Sequence, residues 1–85
     1  GIYSMKVVVT QKNIDEATRN SSTSCAIAQA LKEKYPNEKV SVGMMWVIRV
    51  GDKRYKHTKK SSDFVSKFDA GKEVEPTTFD FKLMK

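Results

Sequence analysis

The first half of the chain contains one β-branched run and two segments with helical signals. Met5–Thr10 is rich in valine, which predicts a strand. Asn13 begins a capping-box spacing with acidic residues in the first turn, which predicts a short helix over about residues 14–19. From Cys25 to Tyr35 the apolar residues recur at helical spacing and a proline follows, so this segment predicts a second helix.

The middle of the chain has the pattern of a β-hairpin. Val40–Val42 alternates and predicts a short strand of its own. Residues 45–50 and 53–58 predict the two hairpin strands. The Gly51-Asp52 pair between them suits a two-residue turn, because glycine tolerates the positive φ that such turns require.

The last third predicts one helix and one strand. Ser61 is expected to cap a helix over residues 62–70, with Gly71 just past its end. Residues 77–83 alternate polar and apolar side chains, which is typical of a strand with one buried face. The resulting order, β-α-α-β-β-β-α-β, predicts an α+β fold with a mainly antiparallel sheet and the helices packed on one face.

Length and cysteine content limit what the chain can be. Its 85 residues are expected to form a single domain over 1–85, and a methionine at position 5 suggests that residues 1–4 are a cloning remnant. One Cys cannot form an intrachain disulfide, and one Cys with one His cannot build a zinc cluster. We therefore expect neither a metal nor another cofactor.

Positive charge is concentrated in one short window. The chain carries 16 Lys and Arg against 10 Asp and Glu, a net charge of +6. Residues 49–60 hold six of these bases and a single acid, so the rest of the chain is nearly neutral. A solvated surface needs mixed charges rather than such segregation, which makes the window a candidate binding site. Its bases are Arg49, Lys53, Arg54, Lys56, Lys59 and Lys60.

A two-residue turn at Gly51-Asp52 determines which hairpin residues oppose each other. In that register Arg49 lies opposite Arg54, and like charges in that position cost roughly a few tenths of a kcal/mol unless an anion lies between them. One side of the hairpin then holds Trp46, Ile48, Val50, Tyr55 and His57, and the other holds Met45, Val47, Arg49, Arg54, Lys56 and Thr58.

This cationic side has two interpretations. It can be a binding site for phosphate or for an acidic protein surface, with Lys59 and Lys60 extending it. Alternatively, it is a lysine-rich strand edge that discourages association between sheets. Trp46 and Tyr55, the aromatic residues nearest the window, are expected on the opposite side, where they could not stack on a bound nucleic-acid strand.

Cys25 and His57 are the remaining candidates for chemistry. A thiol in the first turn of a helix has its thiolate favoured by the helix dipole, but nothing in the spacing brings His57, the only imidazole, beside it. We expect Cys25 to be a small buried helix residue and His57 a half-buried ring at a strand end. No catalytic residue is predicted, and a thiol enzyme at Cys25 is the least favoured alternative.

Three stretches in this order resemble a group of small hypothetical proteins encoded in bacteriophage genomes. The match covers roughly positions 5–83, although many members of the group have Cys-Pro where this chain has Cys25-Ala26. The group carries no assigned activity, so the resemblance implies a phage origin and a bacterial host cytoplasm, and no functional residue. The matching stretches are SCAIAQAL at 24–31, VGDKRY at 50–55, and DFVSKFDAG at 63–71 leading into Val74-Glu75-Pro76 and Phe79-Asp80-Phe81.

Two functions follow from these observations. The first is a non-enzymatic binding module whose basic hairpin face contacts nucleic acid or another polyanion. The second is a protein–protein interaction factor that acts on an acidic or other host bacterial protein. No apolar run approaches the ~20 residues of a membrane helix, so we expect a cytoplasmic protein without a membrane partner. An exposed strand edge would also allow a homodimer.

Overall fold

The structure is a computed structural model that describes residues 3–43 and 47–84. In it the helices and strands follow one another in the order expected from the sequence. Within these residues the order is β-α-α-β-β-β-α-β, which confirms the α+β class. The elements are β1 (Ser4–Val9), α1 (Gln11–Glu16), α2 (Ala26–Lys34), β2 (Val40–Val42), β3 (Val47–Val50), β4 (Lys53–Lys56), α3 (Lys59–Asp69) and β5 (Thr77–Leu83).

The described strands form one antiparallel sheet in the order β1-β5-β4-β3-β2. The first and last strands of the chain are therefore neighbours, and β1 and β2 are the two edges. The helices pack on one face of the sheet, here termed the inner face, as expected for this fold class. The opposite face is termed the outer face.

The β3–β4 hairpin has the predicted register. Gly51 adopts a φ of 61° in the turn, the left-handed conformation for which glycine was expected there. The register pairs Val50 with Lys53, Arg49 with Arg54, Ile48 with Tyr55 and Val47 with Lys56. The expected positions of Met45 and Trp46 lie outside the described residues. The second strand ends at Lys56, two residues before the predicted end.

Apolar side chains from alternate strand positions form the core with the helices. Phe79 and Phe81 of β5 are almost fully buried, and the ring of Phe64 on α3 meets that of Phe79 edge to face at 5.3 Å between centroids. From α2, Ile27 and Leu31 are fully buried. Because each buried side chain of this size contributes about 1.5–3 kcal/mol, this layer accounts for most of the stabilisation.

Helices α1 and α3 each begin three residues earlier than predicted. Their N-caps are Thr10 and Thr58, whereas Asn13 and Ser61, the predicted caps, are the third helical residues of two capping boxes. The Thr58 hydroxyl accepts a hydrogen bond from the Ser61 N–H at 3.1 Å, and the Ser61 hydroxyl accepts one from the Thr58 N–H at 2.9 Å. The prediction therefore named one member of each capping box but was wrong in making it the cap, and the box predicted for Asn13 with Glu16 is formed instead by Thr10 with Asn13.

Helix α1 also ends at Glu16, three residues before the predicted end, whereas the remaining boundaries differ little from the prediction. Cys25 and Tyr35, the expected ends of the second helix, are the residues that flank α2 on either side. Thr10 leaves the first strand because it caps α1. Val40–Val42 and Thr77–Leu83 are strands with the predicted bounds.

Candidate anion-binding surface

The outer face carries the strand side chains that alternate with the core residues. None of the helices in the described part of the chain packs on it, and most of its side chains are exposed. By the strand register its members are Ser4, Lys6 and Val8 on β1, Thr78, Asp80 and Lys82 on β5, Arg54 and Lys56 on β4, Val47 and Arg49 on β3, and Ser41 on β2.

This face combines exposed cations from four strands with a single described carboxylate, Asp80. Arg49 lies directly opposite Arg54, and Lys56 lies directly opposite Lys82. Each of these like-charged pairs is destabilising by about 0.2–1 kcal/mol in the absence of a counter-ion. Among the described residues, none of these four side chains forms an ion pair with a carboxylate. The arrangement is therefore an electrostatic cost to the isolated chain that a bound anion would relieve.

The cationic hairpin is not a strand edge. Strand β4 pairs with β3 on one side and with β5 on the other, and β3 also pairs with β2. Protection of an exposed edge, the alternative interpretation of these lysines and arginines, therefore does not apply to this hairpin.

Three of the six predicted site residues lie together on the outer face: Arg49, Arg54 and Lys56. Lys53 does not, because it shares the side of Val50 and Tyr55. There its ammonium group partly opposes the increase that burial causes in the pKa of Tyr35. The burial of Tyr55 agrees with its expected position away from the cations.

The position expected for Lys59 and Lys60 is corrected by the structure. Both belong to the first turn of α3, because the helix begins at Lys59 and not after Ser61. Lys59 forms an exposed ion pair with Asp63 at 3.3 Å. The ammonium of Lys60 donates a hydrogen bond to the Thr78 carbonyl at 2.6 Å and lies 5.2 Å from the Phe79 ring centroid. These two lysines therefore do not extend the outer face.

Two cations of the outer face, Lys6 and Lys82, were missing from the predicted site. The alternation within β5 places Lys82 on the polar side, so its direction could be predicted from sequence. Its position beside Lys56 could not, because that depends on β5 inserting between β1 and β4.

Cys25 is the N-cap of α2, and its side chain is 4% exposed. Burial raises the pKa of the thiol, and the backbone N–H groups of Ala28 and Ile27 oppose this increase only in part. The expected effect of the helix terminus is therefore present but is outweighed by desolvation.

His57 is half-buried, as expected, and both of its ring nitrogens have hydrogen-bond partners. Nδ1 lies 2.8 Å from the Ser61 hydroxyl, and Nε2–H donates to the Gly43 carbonyl. Burial lowers the pKa of His57, with a smaller opposing effect of the Gly43 carbonyl. The ring thus connects the end of β4 to α3 and to the residue after β2.

A surface depression of about 680 Å³ lies on another part of the molecule, between α1 and the segment that leads to β5. Its lining mixes acids and bases, among them Asp15, Glu73, Arg19 and Lys72. The Nε–H of Arg19 is already engaged with the Phe68 carbonyl at 3.1 Å. This depression therefore lacks the excess of positive charge that distinguishes the outer face.

Comparison with known proteins adds no identification: no protein-family model, no curated protein and no solved structure matches this chain. The likeness to bacteriophage proteins stays a prediction. Residues 3–43 and 47–84 contain no cluster of His, Cys, Asp and Glu that could hold a metal ion. The helices described here are all too short or too polar to cross a membrane.

Proposed function

We propose that this protein is a non-enzymatic binding module whose outer sheet face binds nucleic acid or another polyanion. The observation that carries the proposal is two like-charged pairs, Arg49 with Arg54 and Lys56 with Lys82, on an uncovered face where Asp80 is the one described carboxylate and none of the four cations forms an ion pair with a described residue. A fold that needs no ligand gains nothing from this placement, whereas a phosphate between two such cations converts repulsion into attraction.

Binding of this kind has defined properties. Lysine and arginine contacts to phosphate carry no sequence information, so affinity should vary little with base sequence. It should fall steeply with salt, because each neutralised phosphate releases condensed counter-ions. The burial of Cys25 and the engagement of both His57 nitrogens support a binding role rather than thiol chemistry.

The test compares two triple variants of equal net charge. Arg49→Gln, Arg54→Gln and Lys56→Gln together remove three outer-face cations. Lys12→Gln, Lys53→Gln and Lys59→Gln together remove three exposed cations that lie elsewhere. Affinity for a mixed-sequence DNA duplex of about 20 base pairs is measured by fluorescence anisotropy at low salt. We expect the first variant to lose binding and the second to keep most of it.

Equal losses in the two triple variants would show that net charge, and not the outer face, controls binding. No binding by the unmodified protein to the duplex, to RNA or to polyphosphate would refute the proposal. Circular dichroism spectra of both variants establish that each is folded.

A second candidate function is contact with a host protein at the β1 edge. Val8 and Tyr3, at the edge of the sheet, are the large apolar residues most exposed in the described chain, at 58% and 64%. An edge strand can add a strand from a partner, which also includes a second copy in a homodimer. Capture of a bacterial protein that survives nuclease treatment and is lost in Val8→Lys would favour this function over polyanion binding.

The proposed setting follows from the resemblance to phage-encoded proteins, which supports action in the cytoplasm of a bacterial host. Nucleic acid is an abundant polyanion there, and the net charge of +6 favours association with it. Co-purification of nucleic acid with the protein from bacterial cells, seen as a raised absorbance at the nucleic-acid maximum and removed by high salt, tests this setting.

A further inference from the structure

The outer-face cations lie in single file and not in a round patch. The row crosses the sheet from β3 to β4, β5 and β1. It also shifts along the strand direction as it crosses, so it is diagonal to the strands. Arg49 neighbours Arg54 across strands, and two residues further along β4 Lys56 neighbours Lys82. Lys6 lies diagonally beyond Lys82, because it is opposite Asp80. We term this row, Arg49-Arg54-Lys56-Lys82-Lys6, the cationic stripe.

The cationic stripe has the dimensions of a short length of one nucleic-acid backbone. It crosses three strand spacings of about 4.8 Å and advances by four residues of about 3.4 Å, so it runs diagonally for about 20 Å. The spacing of about 3.4 Å between phosphates on one duplex strand is measured along the helix axis; because the backbone winds around that axis, consecutive phosphates lie farther apart along it, and about four of them span that length. Five cations in single file with long, flexible side chains can therefore each reach a phosphate of one backbone over about that length.

The side chains around the stripe favour backbone contact over stacking on bases. The other described members of the outer face are small or β-branched, apart from Asp80 next to Lys6. Proteins that bind single strands stack the bases on aromatic side chains, and the described outer face presents none. A duplex, whose bases are already stacked on each other, needs only the phosphate contacts that these cations supply.

We infer that the cationic stripe binds one sugar-phosphate strand of a nucleic-acid duplex, which crosses the sheet obliquely from β3 to β1. This inference rests on the proposed function and deepens it. It assigns contacts to Lys82 and Lys6, which lie outside the basic segment of the sequence. It also sets the angle at which the nucleic-acid backbone crosses the strands of the sheet.

The test measures how the affinity for a DNA duplex of about 20 base pairs depends on salt. The proteins are the unmodified chain, Lys82→Gln, Lys6→Gln, Arg49→Gln and, as matched control, Lys53→Gln, which removes the same charge from the inner side of the hairpin. Five phosphate contacts predict a slope of about −4.5 for log affinity against log salt, and losing one contact changes it by about 0.9. A fourfold rise in salt should then weaken binding about 500-fold for the unmodified protein and about 150-fold for Lys82→Gln or Lys6→Gln.

Each outcome decides one part of the inference. Slopes for Lys82→Gln and Lys6→Gln equal to that of Lys53→Gln, with a reduced slope for Arg49→Gln, would overturn the stripe and leave the proposed function intact. A single strand of the same sequence that binds as tightly as the duplex would overturn the choice of occupant. No salt-dependent binding by the unmodified protein would overturn the inference and the proposed function together. Reduced slopes for Lys82→Gln, Lys6→Gln and Arg49→Gln but not for Lys53→Gln, with weaker binding to the single strand, would support the stripe as a duplex site.

Discussion

The two faces of the sheet are built from alternate residues of the same strands and have opposite chemistry. Ile48 on the inner face is fully buried, whereas its neighbour Arg49 on the outer face is exposed. Close packing against the helices restricts which side chains the inner face can hold, because a change in their volume disturbs that packing. No such requirement applies to the outer cations, and their mutual repulsion opposes folding. The comparison shows that the inner face explains stability and that the outer face needs a different explanation, for which we propose a bound polyanion.

The largest expected difference between the faces is in stability. Ile48→Ala should lower the free energy of unfolding by about 2–5 kcal/mol, because it removes buried methylene groups and leaves a cavity. Arg49→Gln, one residue along the strand, should change it by no more than about 0.5 kcal/mol. Urea unfolding followed by circular dichroism measures both.

If Ile48→Ala does not fold, Ile48→Val should still cost about 0.5–1.5 kcal/mol. Comparable losses in Ile48→Val and Arg49→Gln would contradict the division of roles between the two faces.

The cap of α3 is the next largest effect, because this helix carries Phe64 onto the inner face. Thr58→Ala removes one half of the capping box and should cost about 1 kcal/mol. Thr23→Ala, at an exposed threonine in the loop before α2, is the matched control and should have little effect. If both variants are equally stable, α3 does not begin at Lys59 and the exclusion of Lys59 and Lys60 from the outer face must be reconsidered.

Charge reversal on the outer face should give smaller effects of opposite sign at two positions. Lys82→Glu places an acid opposite Lys56 and should stabilise the fold by about 0.2–1 kcal/mol at low salt. Lys6→Glu places an acid opposite Asp80 and should destabilise it by a similar amount. Both differences should shrink at high salt, since the pairs are exposed. A stabilised Lys82→Glu that also binds duplex DNA more weakly would show that the native lysine is retained at a cost to stability.

His57 should give the smallest effect, seen as a dependence of stability on pH. Burial lowers its pKa in the folded chain, whereas the unfolded ring titrates near its ordinary value of about 6.5. Between the two values the unfolded chain binds a proton that the folded chain does not, so stability falls as the pH decreases below about 6.5. We expect the free energy of unfolding of His57→Gln to decrease less below this pH than that of the unmodified protein. Urea unfolding at several pH values measures both. Identical pH profiles for the two proteins would contradict the burial of the ring.

Local signals made much of the fold predictable. The register of the hairpin follows from a glycine that can adopt positive φ, and β5 follows from strict alternation. The capping boxes show the limit of such signals, since Thr10 and Asn13 are both polar, three residues apart, and each satisfies the other. Which of them begins the helix depends on burial of the Asn13 side chain, which hydrogen-bonds Glu33 of α2. That contact joins α1 to α2, which are distant in sequence, so the residues around Asn13 do not indicate it.

The candidate site was predictable only where its residues are close in sequence. Arg49, Arg54 and Lys56 share a face because one short turn joins their strands. Lys6 and Lys82 are at opposite ends of the chain, and the order of strands alone brings them into the same row. A window of local charge cannot detect such residues, and it also included Lys53, Lys59 and Lys60, which the fold directs elsewhere.

The most direct test of the central claim is to map amide chemical shifts while a short DNA duplex is titrated into the labelled protein. We expect the largest changes along the outer face, at Arg49, Arg54, Lys56 and Lys82, with the α2 amides unchanged. Changes confined to the helices or to the depression beside α1, or none at saturating DNA, would contradict the account.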